Sequence, residues 1–384
     1  MIKKLKQIAS RNLVNIPGWT TDRKIVVFES DDWGSIRMPS KKIYNNLLDK
    51  GIRVDRSVYD TFDILEQRED LEYLFNLILR VEDLKGNHPI FTFNTVMGNP
   101  NFDLIRKSNF TEYHRESFFT SYEKYNQDNM SNQWYKAISE NLIHPQFHAR
   151  EHVNVSLWMR ALQSNHNETR IAFDQNFFGL KTEIPSSIQN NFLAAYWAEG
   201  SNDLREKLNI VENGLQIFRS IFGFSSTSFT ACNYIYPSEM EKAFSDLGIK
   251  FIQTQHGHIS PAVNNQKKKV IRNFTGQINQ ADQIYLVRNC TFEPSLYSNL
   301  DSVKSCIKEI STAFMWNKPA IISSHRINYV GGLSMKNRDK GLSNLEKLLS
   351  EIIKKWPDVE FMSTYELGNL IKRSYENSYS LQKK

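Results

Sequence analysis

The feature that most constrains this chain is a rhythm. Short runs of β-branched and aromatic residues alternate with longer segments of helical period. Eight such runs are predicted strands: Lys24–Phe28, Pro89–Thr95, Leu142–Phe147, Ser226–Ala231, Lys250–Thr254, Gln283–Arg288, Ala320–Ser324 and Val359–Ser363. Between them, apolar residues recur three or four apart and end on helix stop signals. Ser40–Lys50 stops at Gly51, Asp203–Phe222 at Gly223, Ser238–Leu247 at Gly248, and Ser343–Lys355 before Pro357. This alternation predicts an α/β fold, a parallel sheet or barrel wrapped by helices. Leu345, Leu348, Leu349, Ile352 and Ile353 read as a buried stripe rather than a binding face.

Two stretches exceed a minimal barrel, about 96–140 and about 166–200, both rich in Asn and aromatic residues. They read as long insertions that cover or shape a cleft. No repeat and no Gly/Ser linker divides the chain, so residues 1–384 are expected to form one elaborated domain.

Charge narrows the partners. The 48 basic and 42 acidic residues are spread along the sequence, and the one basic run, Lys267 to Lys269, reads as a solvated loop. A tract that tracks phosphates is missing, which argues against nucleic acid, whereas a basic surface suits acidic glycans. Cys232, Cys290 and Cys306 are too few and too scattered for a disulfide framework or a thiolate metal site, so reduced, cytoplasmic thiols are expected. The opening MIKKLKQIASRNLVNIPGW has no apolar stretch of signal-peptide length, and no segment approaches a membrane span. At most, residues 2–14 form a short amphipathic helix that touches a membrane surface.

Chemistry gathers where strands end. Ile25–Phe28 runs directly into Glu29-Ser30-Asp31-Asp32-Trp33-Gly34. Successive strand residues face opposite ways, so both aspartates converge on one site only if the strand has already ended in a turn, which Gly34 permits. The plainer alternative is a helix cap. Next, His144-Pro-Gln-Phe-His148-Ala-Arg-Glu-His152 spaces three of the nine histidines four apart. On a strand that spacing is about 13 Å, too long for a shared ion, whereas on a helical turn it is about 5–6 Å. Pro145 opposes a helix over 144–147, so His148 and His152 are expected on a helical turn as metal ligands, with His144 structural. A metal that keeps an open position for water needs a third ligand, and Asp31 and Asp32 offer one ligand and one base. Last, Ile321-Ile322-Ser323-Ser324-His325-Arg326 delivers a histidine to a strand end, in place for a catalytic acid.

In motif order and spacing, from about residue 24 to 370, this pattern resembles the NodB-type polysaccharide deacetylases of carbohydrate esterase family 4. The resemblance implies an irregular (β/α) barrel and a metal-dependent hydrolase that removes N- or O-acyl groups from a sugar or polysaccharide precursor. It implies Asp31 as base, Asp32 with His148 and His152 on a divalent transition metal, zinc foremost, and His325 as acid. Trp33, Asn233, Tyr234 and Arg288 would meet substrate. The chain departs from the family in two places. Thr-Phe-Asp-Asp-Gly becomes Glu29-Ser30-Asp31-Asp32-Trp33-Gly34, and Arg-Pro-Pro-Tyr-Gly falls at Thr230-Ala231-Cys232-Asn233-Tyr234, without the arginine that orients the base. Arg288 or Arg150 would have to replace it.

Three other functions compete. His148-Ala-Arg-Glu151-His152 also matches the H-x-x-E-H peptidase pattern, which needs a helix and makes Glu151 the base. A barrel without its motif arginine can bind glycan and not cleave it. A two-carboxylate glycosidase fits poorly, because adjacent Asp31 and Asp32 cannot flank a sugar ring at separations of about 5–9 Å.

Overall fold

A computed structural model describes residues 11–382 except 126, 128, 183–190, 262, 264–266 and 298. All eight predicted strands form: β1 (Ile25–Trp33), β2 (Phe91–Val96), β3 (Ile143–Ala149), β4 (Ser228–Thr230), β5 (Phe251–Gln255), β6 (Ile284–Arg288), β8 (Ala320–His325) and β9 (Glu360–Phe361). A further short strand, β7 (Cys290–Thr291), lies between β6 and β8. Together they make one parallel sheet in the order β6-β5-β4-β3-β2-β1-β8-β7, with β9 paired to the start of β1.

The two ends of that order, β6 and β7, are consecutive in the chain and separated only by Asn289. The sheet therefore returns on itself as a barrel. Asn289 stitches the seam to β8: its backbone N–H donates to the Ile321 carbonyl at 3.1 Å, and its side-chain oxygen accepts from the Ile321 N–H at 2.8 Å.

Alternation along the strands sorts side chains into two cores. Ile25 and Val27 of β1 gather with Phe251, Ile284, Leu286 and Ile321, and the C-terminal helix Thr364–Gln382 adds Leu367 and Ile371 to plug that end. Val26, Phe28, Phe91 and Phe93 face the other way into the larger core beneath the helices. The predicted helices appear as Lys41–Asp49, Ser201–Phe222, Met240–Asp246 and Met335–Lys355, the last of them eight residues longer at its start than expected. Its stripe of Leu345, Leu348, Leu349 and Ile352 is fully buried, as its spacing requires.

Among the described residues, none of either insertion lines the cleft described below, contrary to expectation. Their aromatic residues pack on one another instead: Phe102, Phe110, Phe173, Phe177 and Phe178 join Trp158 in a separate core. The first insertion braces the loop after β1 from behind, where Asn99 accepts from the Ile36 N–H at 2.7 Å and donates to the Gly34 carbonyl at 2.9 Å. The amphipathic segment expected at 2–14 lies mostly outside the described residues. Among the described residues, no helix is long and apolar enough to cross a membrane.

Candidate active site

The carboxyl ends of β1, β3, β6 and β8 and the loop after β4 surround a cleft of about 370 Å³, within the range of small-molecule sites. Asp31, Asp32, His148, His152, Asn233, Tyr234, Arg288 and His325 all border it. Eight of the nine residues singled out from the sequence thus meet in one place.

Asp31 and Asp32 converge by a device that local spacing does not reveal. β1 does not end before them, as expected; it runs on through Trp33. Against β2 its register passes from Ser30↔Phe93 to Trp33↔Thr95, so one extra residue bulges out, and Asp32 takes φ of +77°. Without the bulge, the two carboxylates would face opposite sides of the strand. With it, Asp31 points to Arg288 and Asp32 to the histidines. Left-handed backbone at a non-glycine residue is unfavourable by about 1–3 kcal/mol and persists where the surroundings impose it. Gly34 follows at φ of +81°, where a side chain would collide with the Val96 carbonyl.

The bulge also explains the ninth residue. Trp33, expected at the substrate, is turned into the core, 1% exposed and stacked on Phe93 with ring centroids 3.7 Å apart. It takes no part in the cleft.

His148 is still on β3, and His152 lies within a bend over residues 150–153 instead of on the helical turn expected. The bend folds the chain back and leaves the ring centroids 5.1 Å apart. His148 Nδ1 lies 2.8 Å from the Thr230 carbonyl, which fixes Nδ1 as the protonated nitrogen and turns the Nε2 lone pair inward. The Nε2 atoms of His148 and His152 lie 3.4 and 3.1 Å from Asp32 Oδ1. Cys232, at the end of β4, brings its Sγ to 3.7 Å from His148 Nε2. His148, His152 and Cys232 form a fully buried group with donor atoms within 4.8 Å of one another. Burial opposes every charge here, yet His152 and His148 hold Asp32 well below the usual carboxylate range, and the same two rings pull the Cys232 thiol down to about 6. Cys232 and Asp32 in turn raise both imidazoles, His152 to about 9, so a divalent cation would bind here in exchange for the imidazole protons, whose loss leaves two nitrogen lone pairs beside anionic donors at this spacing.

Asp31 is held from the opposite side. Arg288 forks onto it, Nη1 to Oδ2 at 2.6 Å and Nη2 to Oδ1 at 2.7 Å, while its Nε donates to Glu29 at 2.6 Å. Asn94 donates to Asp31 Oδ1 at 2.7 Å and is paired with Gln253. Burial pushes the Asp31 carboxyl up, but Arg288 outweighs it and the group stays ionised, below its ordinary value. Arg288 was expected at the substrate or as replacement for the family's arginine; its guanidinium is engaged by the two carboxylates and by the Tyr234 hydroxyl, 2.7 Å away. Arg150 turns elsewhere, with both oxygens of the buried Glu151 on its fork. Glu151 is thus occupied and the motif lies on a strand and a bend, neither of which suits the peptidase mechanism.

His325 ends β8. Its Nδ1 lies 2.5 Å from Glu293 Oε1, and its Nε2 3.7 Å from Asp31 Oδ2. Burial disfavours the imidazolium, but Glu293 together with Asp31 and Asp32 raises it to about 9. Glu293 is held in turn by Asn328, which donates to Oε2 at 2.7 Å. The next residue, Arg326, is fully buried and donates to Glu66 and to the Ser35 carbonyl, both at 2.7 Å, so the loops after β8 and β1 are locked together.

No family model and no curated protein matches the chain. Among solved structures it is similar to a putative polysaccharide deacetylase from Mycobacterium smegmatis, at 9% identity over 94% of each chain with a TM-score of 0.43. A probable polysaccharide deacetylase from Pseudomonas aeruginosa PAO1 is 8% identical over 91% of each chain, TM-score 0.44. Puue allantoinase is 7% identical over 91% of each chain, TM-score 0.45. The reading of the site therefore rests on its own geometry.

Proposed function

We propose that the chain is a metal-dependent hydrolase that removes an N- or O-acyl group from a sugar or polysaccharide precursor. One observation carries the reading: a cation-binding donor set and two differently prepared proton-handling groups, Asp31 and His325, face one cleft. Asp32, His148 and His152 would hold the ion, zinc being the one such donors suit best. When bound, it supplies a Lewis acid for the acyl carbonyl and acidifies water at neutral pH. Asp31 takes the proton of the attacking water; among the described residues its Oδ2 accepts a hydrogen bond only from Arg288, with His325 Nε2 3.7 Å away. Arg288 keeps that carboxylate ionised and fixed in direction. His325, with Nδ1 on Glu293, presents Nε2 to the cleft and gives a proton to the departing amine or alcohol. Tyr234, Asn233 and the exposed Tyr297 at the cleft border offer polar and aromatic surface for a sugar ring.

The test is metal analysis of wild-type protein beside Asp32→Ala and His148→Ala, with release of acetate from N- and O-acetylated oligosaccharides. About one ion per chain, lost in both variants together with turnover, is the expected result. Metal bound without turnover on any acylated sugar would favour a glycan-binding barrel, and activity retained in Asp32→Ala would reject the assignment. Glu151→Gln should leave turnover intact; a peptidase would lose it there.

A further inference from the structure

The donor set has a fourth member that the proposed reaction does not use. Cys232 sits where β4 gives way to the turn Cys232–Tyr234, and Asn233 and Tyr234 follow it at φ of +56° and +54°. This backbone leaves the thiol fully buried beside His148, while Tyr234 reaches Arg288. The spacing can be compared with an ion's requirements. A tetrahedral zinc with bonds of about 2.0–2.1 Å to nitrogen or oxygen and about 2.3 Å to sulfur separates its ligand atoms by roughly 3.3 Å, or roughly 3.6 Å where sulfur is one of them. The separations here are 3.1 and 3.4 Å from Asp32 Oδ1 to the two histidines and 3.7 Å from Cys232 Sγ to His148 Nε2; the donor atoms of His148, His152 and Cys232 lie within 4.8 Å of one another in a group that does not include Asp32, so Asp32 and Cys232 would approach an ion from opposite sides of the histidine pair.

We propose that Cys232 is a protein ligand of the same ion, which makes the site Asp32, His148, His152 and Cys232. The inference rests on the metal reading above and deepens it. Four protein ligands complete a tetrahedron, the arrangement of structural zinc, whereas catalytic zinc keeps one position open. With four protein ligands the ion would keep no position open, so Cys232 would compete with water or an acyl oxygen for it. A thiolate also donates more charge than water, so the ion polarises a carbonyl less strongly than a three-ligand site would.

The test is the absorption spectrum of the full-length chain loaded with cobalt(II). Wild type is expected to show visible ligand-field bands together with a near-ultraviolet sulfur-to-cobalt charge-transfer band. Cys232→Ser should lose the near-ultraviolet band completely and keep the visible ones, because Asp32, His148 and His152 remain. Cys290 and Cys306 are buried outside the cluster, so Cys306→Ser should leave both features unchanged. Visible bands without the sulfur band in wild type would overturn the thiolate ligand and leave the three-ligand site standing. No cobalt uptake would overturn both. If Cys232→Ser fails to fold, X-ray absorption of the wild-type zinc form decides the matter, with a sulfur at about 2.3 Å expected and a shell of nitrogen and oxygen alone overturning the proposal.

Discussion

At the scale of single residues, Arg288 and Asp31 divide their labour in a way that substitution can separate. Asp31→Asn keeps the shape of the side chain and removes its basicity, so turnover should fall by on the order of 10²–10⁴ while bound metal is unchanged. Arg288→Lys keeps the positive charge but loses the fork that holds both Asp31 oxygens and Glu29 at once. A smaller loss of kcat, about 10–100-fold, is expected, with KM and metal content nearly unchanged; loss of metal in either variant would contradict the division. The residues on which these predictions rest were legible because each ends or follows an apolar strand: Asp31, Asp32, His148, His152 and His325. Glu293 and Cys232 were not, for different reasons. Glu293 lies beyond β7, and nothing local shows that Phe292 turns inward and leaves it beside His325. Cys232 was discounted because three scattered cysteines do not make a thiolate site by themselves, a rule that does not weigh one cysteine joining histidines from another strand.

At the scale of elements, every predicted strand formed, since an apolar run of five or six residues flanked by turn formers has few alternatives. What failed was the geometry at strand ends. The expected turn at Gly34 is a bulge inside β1, and the expected helical turn at His148–His152 is a strand followed by a bend. Both depend on φ/ψ values that pairing with neighbouring strands imposes, and local spacing does not encode them. A further dependence between elements is testable. Gly341, in the helix Met335–Lys355, lies so close to the Asn328 carbonyl that a Cβ there would overlap it. Gly341→Ala must push the helix and the turn Arg326–Asn328 apart, which should destabilise the protein by about 1–3 kcal/mol in denaturant unfolding. The same shift loosens Asn328 from Glu293, so kcat should drop with metal still bound.

At the scale of the whole molecule, His144 gives the barrel a defined response to acid. It is stacked between Phe224 and Tyr365, and burial, only partly opposed by Glu366, lowers it to about 4 from 6.5. A folded-state value below the unfolded one means that the unfolded chain binds the proton more readily. Stability from this group is therefore full above pH 6.5 and is lost as pH falls towards 4. Between pH 7 and 4, wild type should lose on the order of 2–3 kcal/mol more than His144→Phe, measured by urea unfolding at each pH; parallel curves would refute it. The seam at Asn289 has a different consequence. Arg288, which holds the proposed base Asp31, and Glu293, which holds the proposed acid His325, hang on either side of the one residue that joins the first and last strands of the sheet order. A breathing motion that parts β7 from β8 releases both at once, so the amide protons that bond across this seam, those of Asn289, Ile321 and Phe292, should exchange with solvent through the same opening that abolishes catalysis.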